Sequence, residues 1–312
     1  MPRLIDDIRS TGKLYKPWFV APAKEQAWTE HTAKVAKLLQ DPDLPVLLID
    51  NVSEYYYNGT DQEQWDLRDH FPNLAPPYPI FWCEHKLARH IHSKECGDKD
   101  LTGMFGSHAR TGVLVTSLDP AERGSIIATG IPENAKWVLW CELIIDYGFE
   151  SGFHPQGSHS PMFLCIDAEG AVIDQPWMQS FSGGAYHDVM RSFVIWLHPT
   201  LLAVSFLHCK NVTVVENTVD KPLAKRHYER HGEWPVKYKT LVIEPLKQIL
   251  RHEGRSGEVG VPKAMHICRG HFRDYREGRG LFGKYHQLVW TPMTVRGTRG
   301  TKAPAREIEV RV

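Results

Sequence analysis

Between residues 79 and 166 the sequence carries four short apolar or alternating runs, at 79–87, 111–118, 136–147 and 161–166. Each has the length and period of a β-strand, and together they demand a sheet as the centre of the fold. Cys165-Ile-Asp-Ala-Glu-Gly-Ala-Val-Ile173 sharpens the reading, because two apolar runs around an Asp/Gly turn predict a hairpin. Ahead of the sheet, residues 24–40 have helical spacing, with Ala27, Ala33, Val35, Ala36, Leu38 and Leu39 forming an interrupted apolar face. The DPDLP segment stops that helix, and Val46–Ile49 reads as a short buried strand. Tyr55 to Asp69 reads as the start of a second helix before the proline-rich NLAPPYP. The predicted class is α+β: mixed, mostly antiparallel sheets with helices, and a smaller, basic, β-rich C-terminal domain.

Ser192 to Cys209 is the most apolar stretch, bounded by Arg191 and Lys210. It holds His198, Pro199 and His208, so a buried helix, or a helix pair broken at Pro199, explains it better than a membrane span. Val212–Glu216 follows as a strand. Lys221-Pro222 then opens a charged helix that closes at His231-Gly232, with proline at its start and glycine at its end. Strands are predicted at 237–244, 264–273, 286–295 and 306–311, separated by Gly-rich turns.

Charge divides the chain more sharply than hydropathy does. The whole sequence balances 37 Lys and Arg against 37 Asp and Glu. Residues 221–312 nonetheless hold 20 basic against 9 acidic groups, net +11, and residues 1–220 hold 17 against 28, net −11. We therefore expect two domains: an acidic α+β body at 1–220, suited to peptide recognition, and a basic domain at 221–312 facing RNA or the ribosome. With 312 residues, 42% hydrophobic and spread along the whole length, the chain excludes disorder, collagen and coiled coil. The six cysteines form no dense disulfide framework, and MPRLIDDIRS has no apolar signal core. A cytoplasmic protein with no membrane partner is expected.

Cys83, His85, His90, His92 and Cys96 put five potential metal ligands within 14 residues. None of the paired spacings of a zinc site is present, so a strand followed by a solvated His-rich loop is the better reading, and neither metal nor cofactor is expected. Neither a nucleophile elbow nor a phosphate-cradling loop occurs. Trp137, Trp140 and Trp196 read as core. Asp146, Glu150, Asp167, Asp174 and Asp188 read as solvated groups or as the lining of a peptide groove.

The sharpest constellation is His266-Ile-Cys-Arg269-Gly-His271-Phe-Arg273-Asp-Tyr275-Arg276, followed by Lys284, Trp290-Thr-Pro292 and Arg296. On a strand, Arg269, His271, Arg273 and Tyr275 fall in one row, cations beside a ring that can stack on a base. Arg276, Lys284, Trp290 and Arg296 extend the proposed RNA- or ribosome-binding surface. Arg269, His271 and Tyr275 are also the candidates for catalysis, since a metal-independent ribonuclease needs a base, an acid and a guanidinium. His266 and His271, five apart, would serve one site only if a bulge at Gly270 reset the register.

This C-terminal run resembles the signature ending of the second type V-A anti-CRISPR family, an H-I-x-R-G-H-W run with a downstream W-x-P. His266, Ile267, Arg269, Gly270, His271, Tyr275, Trp290 and Pro292 match, and Phe272 stands where the family more often has Trp. The resemblance also takes in Leu207-His-Cys-Lys-Asn-Val212. It implies a phage or plasmid protein acting in a bacterial host. Such a protein would recognise the nascent N-terminal peptide of a target on the ribosome and trigger destruction of the mRNA being translated. Whether cleavage is direct or through a recruited nuclease stays open, as does a plainer nucleic-acid-binding role.

Overall fold

The computed structural model describes residues 3–12, 14, 20–53, 71–86, 109–120, 131–146, 161–173, 177–178, 186–209, 212–217, 221–231, 238–243, 266–268, 271–280, 286–291 and 294–296. Two helices lead: α1 (Leu4–Thr11) and, after a 3₁₀ turn at Pro22–Lys24, α2 (Glu25–Leu39). The strands of the first half are β1 (Val46–Leu48), β2 (Ile80–Lys86), β3 (Arg110–Leu118), β4 (Trp137–Asp146), β5 (Met162–Ile166) and β6 (Trp177–Met178). Helix α3 (Tyr186–Leu207), β7 (Val212–Asn217), α4 (Lys221–His231) and β8 (Tyr238–Ile243) follow. All of these strands join one sheet in the order β6-β5-β4-β3-β2-β1-β8-β7. From β2 to β6 each strand runs antiparallel to its sequence neighbour, while β1 lies parallel to both β2 and β8. The sheet is mixed and the fold is α+β, as the period-2 runs predict.

Alternation along the paired strands assigns the two faces. Trp82 opposes Leu114, and Leu114 opposes Glu142; Gly112 likewise joins Glu84 to Ile144. This face is covered by α1 and α2, whose Leu4, Ile5, Ile8, Val35 and Leu39 meet Trp82, Leu114 and Ile144 in one apolar cluster. Each such side chain, fully removed from water, contributes about 1.5–3 kcal/mol. Gly112 is required by that packing: a β-carbon there would lie 1.8 Å from the Trp82 indole.

The opposite face carries Phe81, Cys83 and His85 and is covered by α3, which packs on β3 and β4. Leu197, Thr200, Leu201, Val204 and Phe206 are buried. The helix runs through Pro199 without the break that the sequence allows. Interior proline costs about 3 kcal/mol; burial on both sides of it, from Leu197 to Phe206, offsets that cost. Among the described residues, no helix is long and apolar enough to cross a membrane.

Two compact units emerge, residues 1–208 with 214–242 and residues 209–213 with 243–312. Helix α4 and β8 group with the first unit, and β8 pairs directly with β1. In the second unit, β10 (His271–Asp274) pairs antiparallel with β11 (Leu288–Thr291), and β9 (His266–Cys268) with β12 (Thr294–Arg296). Segment 209–213 is tied to it by the Trp290 backbone N–H, which points at the buried Cys209 sulfur. Burial is the larger influence on that thiol and pushes its pKa up to about 12.

Candidate functional site

The predicted functional row falls on the β10–β11 hairpin. Cys268 faces Thr294 in the β9–β12 pair and His271 faces Thr291 in the β10–β11 pair. Residues 269 and 270, where a bulge would reset the register between His266 and His271, lie outside the described residues. Position 271 is in line with Arg273 and Tyr275. Within that row Arg273 and Tyr275 do meet: Arg273 Nη1 donates to the Tyr275 hydroxyl at 3.3 Å, and both side chains are half-buried.

Trp290 requires a correction. Expected on the RNA-facing surface, it is 4% exposed and contacts its cross-strand partner Phe272 edge-on, with ring centroids 4.7 Å apart. An aromatic pair of this kind is worth about 0.5–1.5 kcal/mol beyond its area. It is the packing centre of the hairpin and cannot offer a face to a base. Phe272, at the position where the family pattern has Trp, supplies the other half of the same contact.

Arg276 is exposed but engaged. Its backbone N–H and guanidinium Nε donate to Asp274 Oδ1 at 2.9 and 3.0 Å, and Nη2 donates to Oδ2 at 2.7 Å. This fork, opposed slightly by burial, holds the Asp274 carboxyl below its ordinary pKa. Beyond it, the hairpin continues in register, with the Tyr275 N–H donating to Gln287 O at 3.0 Å. Glu277, Arg279 and His286 are exposed at the tip. Arg269 and Lys284 lie outside the described residues, and of Arg296 only its strand position opposite His266 is described.

The first unit concentrates its chemistry on the face under α1 and α2. Glu84, 4% exposed, accepts the backbone N–H of Leu4 at 2.6 Å and of Ile5 at 3.1 Å. It thereby caps the first turn of α1 from a strand 80 residues away, and it also accepts the Trp82 indole N–H at 3.0 Å. Burial raises its pKa, against those hydrogen bonds and the Arg110 charge. Arg110 donates to Asp146 Oδ2 at 2.5 Å and to Asp7 Oδ2 at 2.6 Å, locking α1 to β3 and β4. Burial works against that guanidinium, but the two carboxylates outweigh it and its pKa rises. Asp146 is thus occupied and does not line a groove. Asp167 is occupied too, accepting the N–H groups of Glu169 and Ala171 in the β5 hairpin turn. Glu150 and Asp174 lie outside the described residues, as does the side chain of Asp188.

A second cluster joins α2 to β4. Glu142 Oε1 lies 2.6 Å from His31 Nε2 and accepts the Trp140 indole N–H at 2.7 Å. Burial raises the Glu142 pKa, with His31 opposing. Trp140 stacks on Phe163 at 6.0 Å and tilts against His31 at 5.5 Å. Trp140 is partly exposed, whereas Phe163 and Glu142 are buried. No sequence signal pairs His31 with Glu142; the two are brought together by the packing of α2 on the sheet.

Cys83 and His85 share a face of β2, as alternation predicts, but both are buried. Burial pushes the Cys83 thiol up and drives the His85 imidazole down to about 3. His90, His92 and Cys96 lie outside the described residues. Among the described residues, no group of three or more His, Cys, Asp and Glu is placed to hold a metal. No protein-family model, curated protein or solved structure matches this chain.

Proposed function

We propose that this protein is an anti-CRISPR-like regulator that recognises the nascent N-terminal peptide of a target protein and triggers translation-coupled loss of the encoding mRNA. The supporting observation is that charge segregates with the compact units. Residues 209–213 with 243–312 hold 15 Lys and Arg against 7 Asp and Glu, net +8, and the other unit holds 22 against 30. A basic unit suits the phosphates of mRNA or ribosomal RNA, whose contact is electrostatic and independent of base sequence. The acidic unit takes the peptide, with the partly exposed Trp140 as an aromatic contact and Phe163, His31 and Glu142 packed behind it. Peptide recognition of this kind combines backbone hydrogen bonds with pockets for alternate side chains.

Recovery of ribosomes with the tagged protein, followed by sequencing of the associated mRNAs, identifies the target. Its first few tens of codons are then exchanged synonymously or non-synonymously. The reading requires mRNA loss to survive synonymous exchange and to vanish when the peptide changes. Loss that follows the nucleotide sequence instead overturns it.

A further inference from the structure

We infer that the hairpin tip contacts the RNA phosphate backbone through Arg279, and that Arg276, the more obvious cation, serves as a positioning residue. The inference rests on the RNA-facing reading of the basic unit and names the residue that carries it. Arg276 spends its guanidinium on both oxygens of Asp274 at 2.7 to 3.1 Å. A phosphate would have to displace a carboxylate already held bidentately, so little new attraction is gained there. The same bond closes the end of β10 onto the turn, next to the Tyr275–Gln287 backbone bond.

Arg279 differs in its engagement. It is exposed, and its side chain makes no ion pair or hydrogen bond among the described residues. It stands between Gly278 and Gly280, both at positive φ (73° and 67°). With no side chain on either neighbour, and open space around the Gly278 α-carbon, a bulky polyanion reaches both the guanidinium and the adjoining backbone N–H groups. His286 arrives exposed from the opposite arm of the hairpin. Glu277 is the tip's own opposing charge, exposed two residues before Arg279. It identifies the partner by sign: removing it strengthens binding to a polyanion and weakens binding to a cationic protein surface.

The test is the salt dependence of binding of the full-length protein to a fluorescent single-stranded oligouridylate. Each phosphate neutralised contributes about 0.7 to the slope of log affinity against log salt. Arg279→Ala is expected to lower the slope by about that amount, and Glu277→Gln to raise the affinity. Asp274→Asn, which frees Arg276, is expected to raise the slope, and adding Arg276→Ala to it removes the gain. Arg279 is exposed, so its replacement shifts the thermal midpoint little, which is checked alongside. A steep parental slope left unchanged by Arg279→Ala overturns this assignment alone. A parental slope near zero overturns the RNA reading and the assignment together.

Discussion

Arg110 and Arg276 both hold aspartates, and the contrast between them separates the two units. Arg110 sits under α1 with its side chain 11% exposed, shared between Asp146 and Asp7 on different elements. Arg276 stands in solvent, gripping Asp274, two residues back at the end of β10. The first joins three elements of a core; the second shapes one turn. In the sheet unit, buried charges are structural cement with little freedom to meet a ligand. In the hairpin, Asp274, Arg276, Glu277 and Arg279 are exposed and the aromatic pair Phe272–Trp290 does the holding.

The largest effect is expected from Arg110→Ala. It leaves Asp146, itself 7% exposed, without its cation, and stranded buried charges cost about 3–5 kcal/mol. Urea denaturation measures this directly. Replacing the pair together, as Arg110→Met with Asp146→Leu, should recover most of the loss, because apolar isosteres often substitute for a buried ion pair. A loss below about 1 kcal/mol for Arg110→Ala would show that the comparison overstates the buried network.

Acid sensitivity comes next. His85 has an imidazole pKa of about 3 in the folded protein, against about 6.5 in the unfolded chain. The unfolded state therefore binds the proton first, so the stability this group confers is complete above pH 6.5 and drains away towards pH 3. By pH 4 the loss is about 3 kcal/mol. Glu84 and Glu142 work in the opposite sense. Their folded pKa values are raised, so the stability they lend is present below the unfolded carboxylate range and lost as pH rises through the folded values. Only the difference between parent and His85→Gln isolates the histidine, and the variant should show the shallower decline between pH 6.5 and 4. Identical pH profiles would place the acid-sensitive group elsewhere.

Glu84→Ala follows, at about 2 kcal/mol, since it strands the Leu4, Ile5 and Trp82 N–H groups in a dry interior. Glu84→Gln keeps an acceptor oxygen and should cost less than half as much. Equal losses for the two would mean that the charge itself, and not hydrogen-bond acceptance, seats α1.

The sequence made the sheet legible because β2 to β5 are built from uninterrupted apolar or alternating runs, and Asp167–Gly170 marks its own turn. It made α4 legible through proline at the second residue and Gly232 after the last. Helix α1 went unread: its signal is only Leu4, Ile5 and Ile8 followed by Gly12, too short a period to stand out, and its seat is supplied by strands 80 to 140 residues on. Isolated helices of that length do not form in water. The hairpin's cationic row was legible as composition but not as geometry. Strand alternation cannot reveal that Trp290 turns inward onto Phe272, or that Asp274 has already claimed Arg276.

The smallest effect, and the sharpest test of the contrast, is Arg276→Ala. The pair with Asp274 is solvent-exposed, at 36% and 44% of the side chains. Exposed ion pairs yield about 0–1 kcal/mol, because water screens the attraction and two side chains lose freedom to make it. The thermal midpoint should move hardly at all, whereas Arg110→Ala lowers it by many degrees. The pair's pH signature is equally modest and has a definite sign. Asp274 is held below its usual pKa, so whatever stability it lends is present above the ordinary aspartate range and fades as pH falls through the lowered value. In the Arg276→Ala protein that fading shrinks, with only the backbone N–H of residue 276 left as a donor. A large drop in midpoint for this variant would mean that the turn at Asp274–Arg276 is part of the hairpin's packing and not an exposed closure. The two arginines would then differ in degree alone.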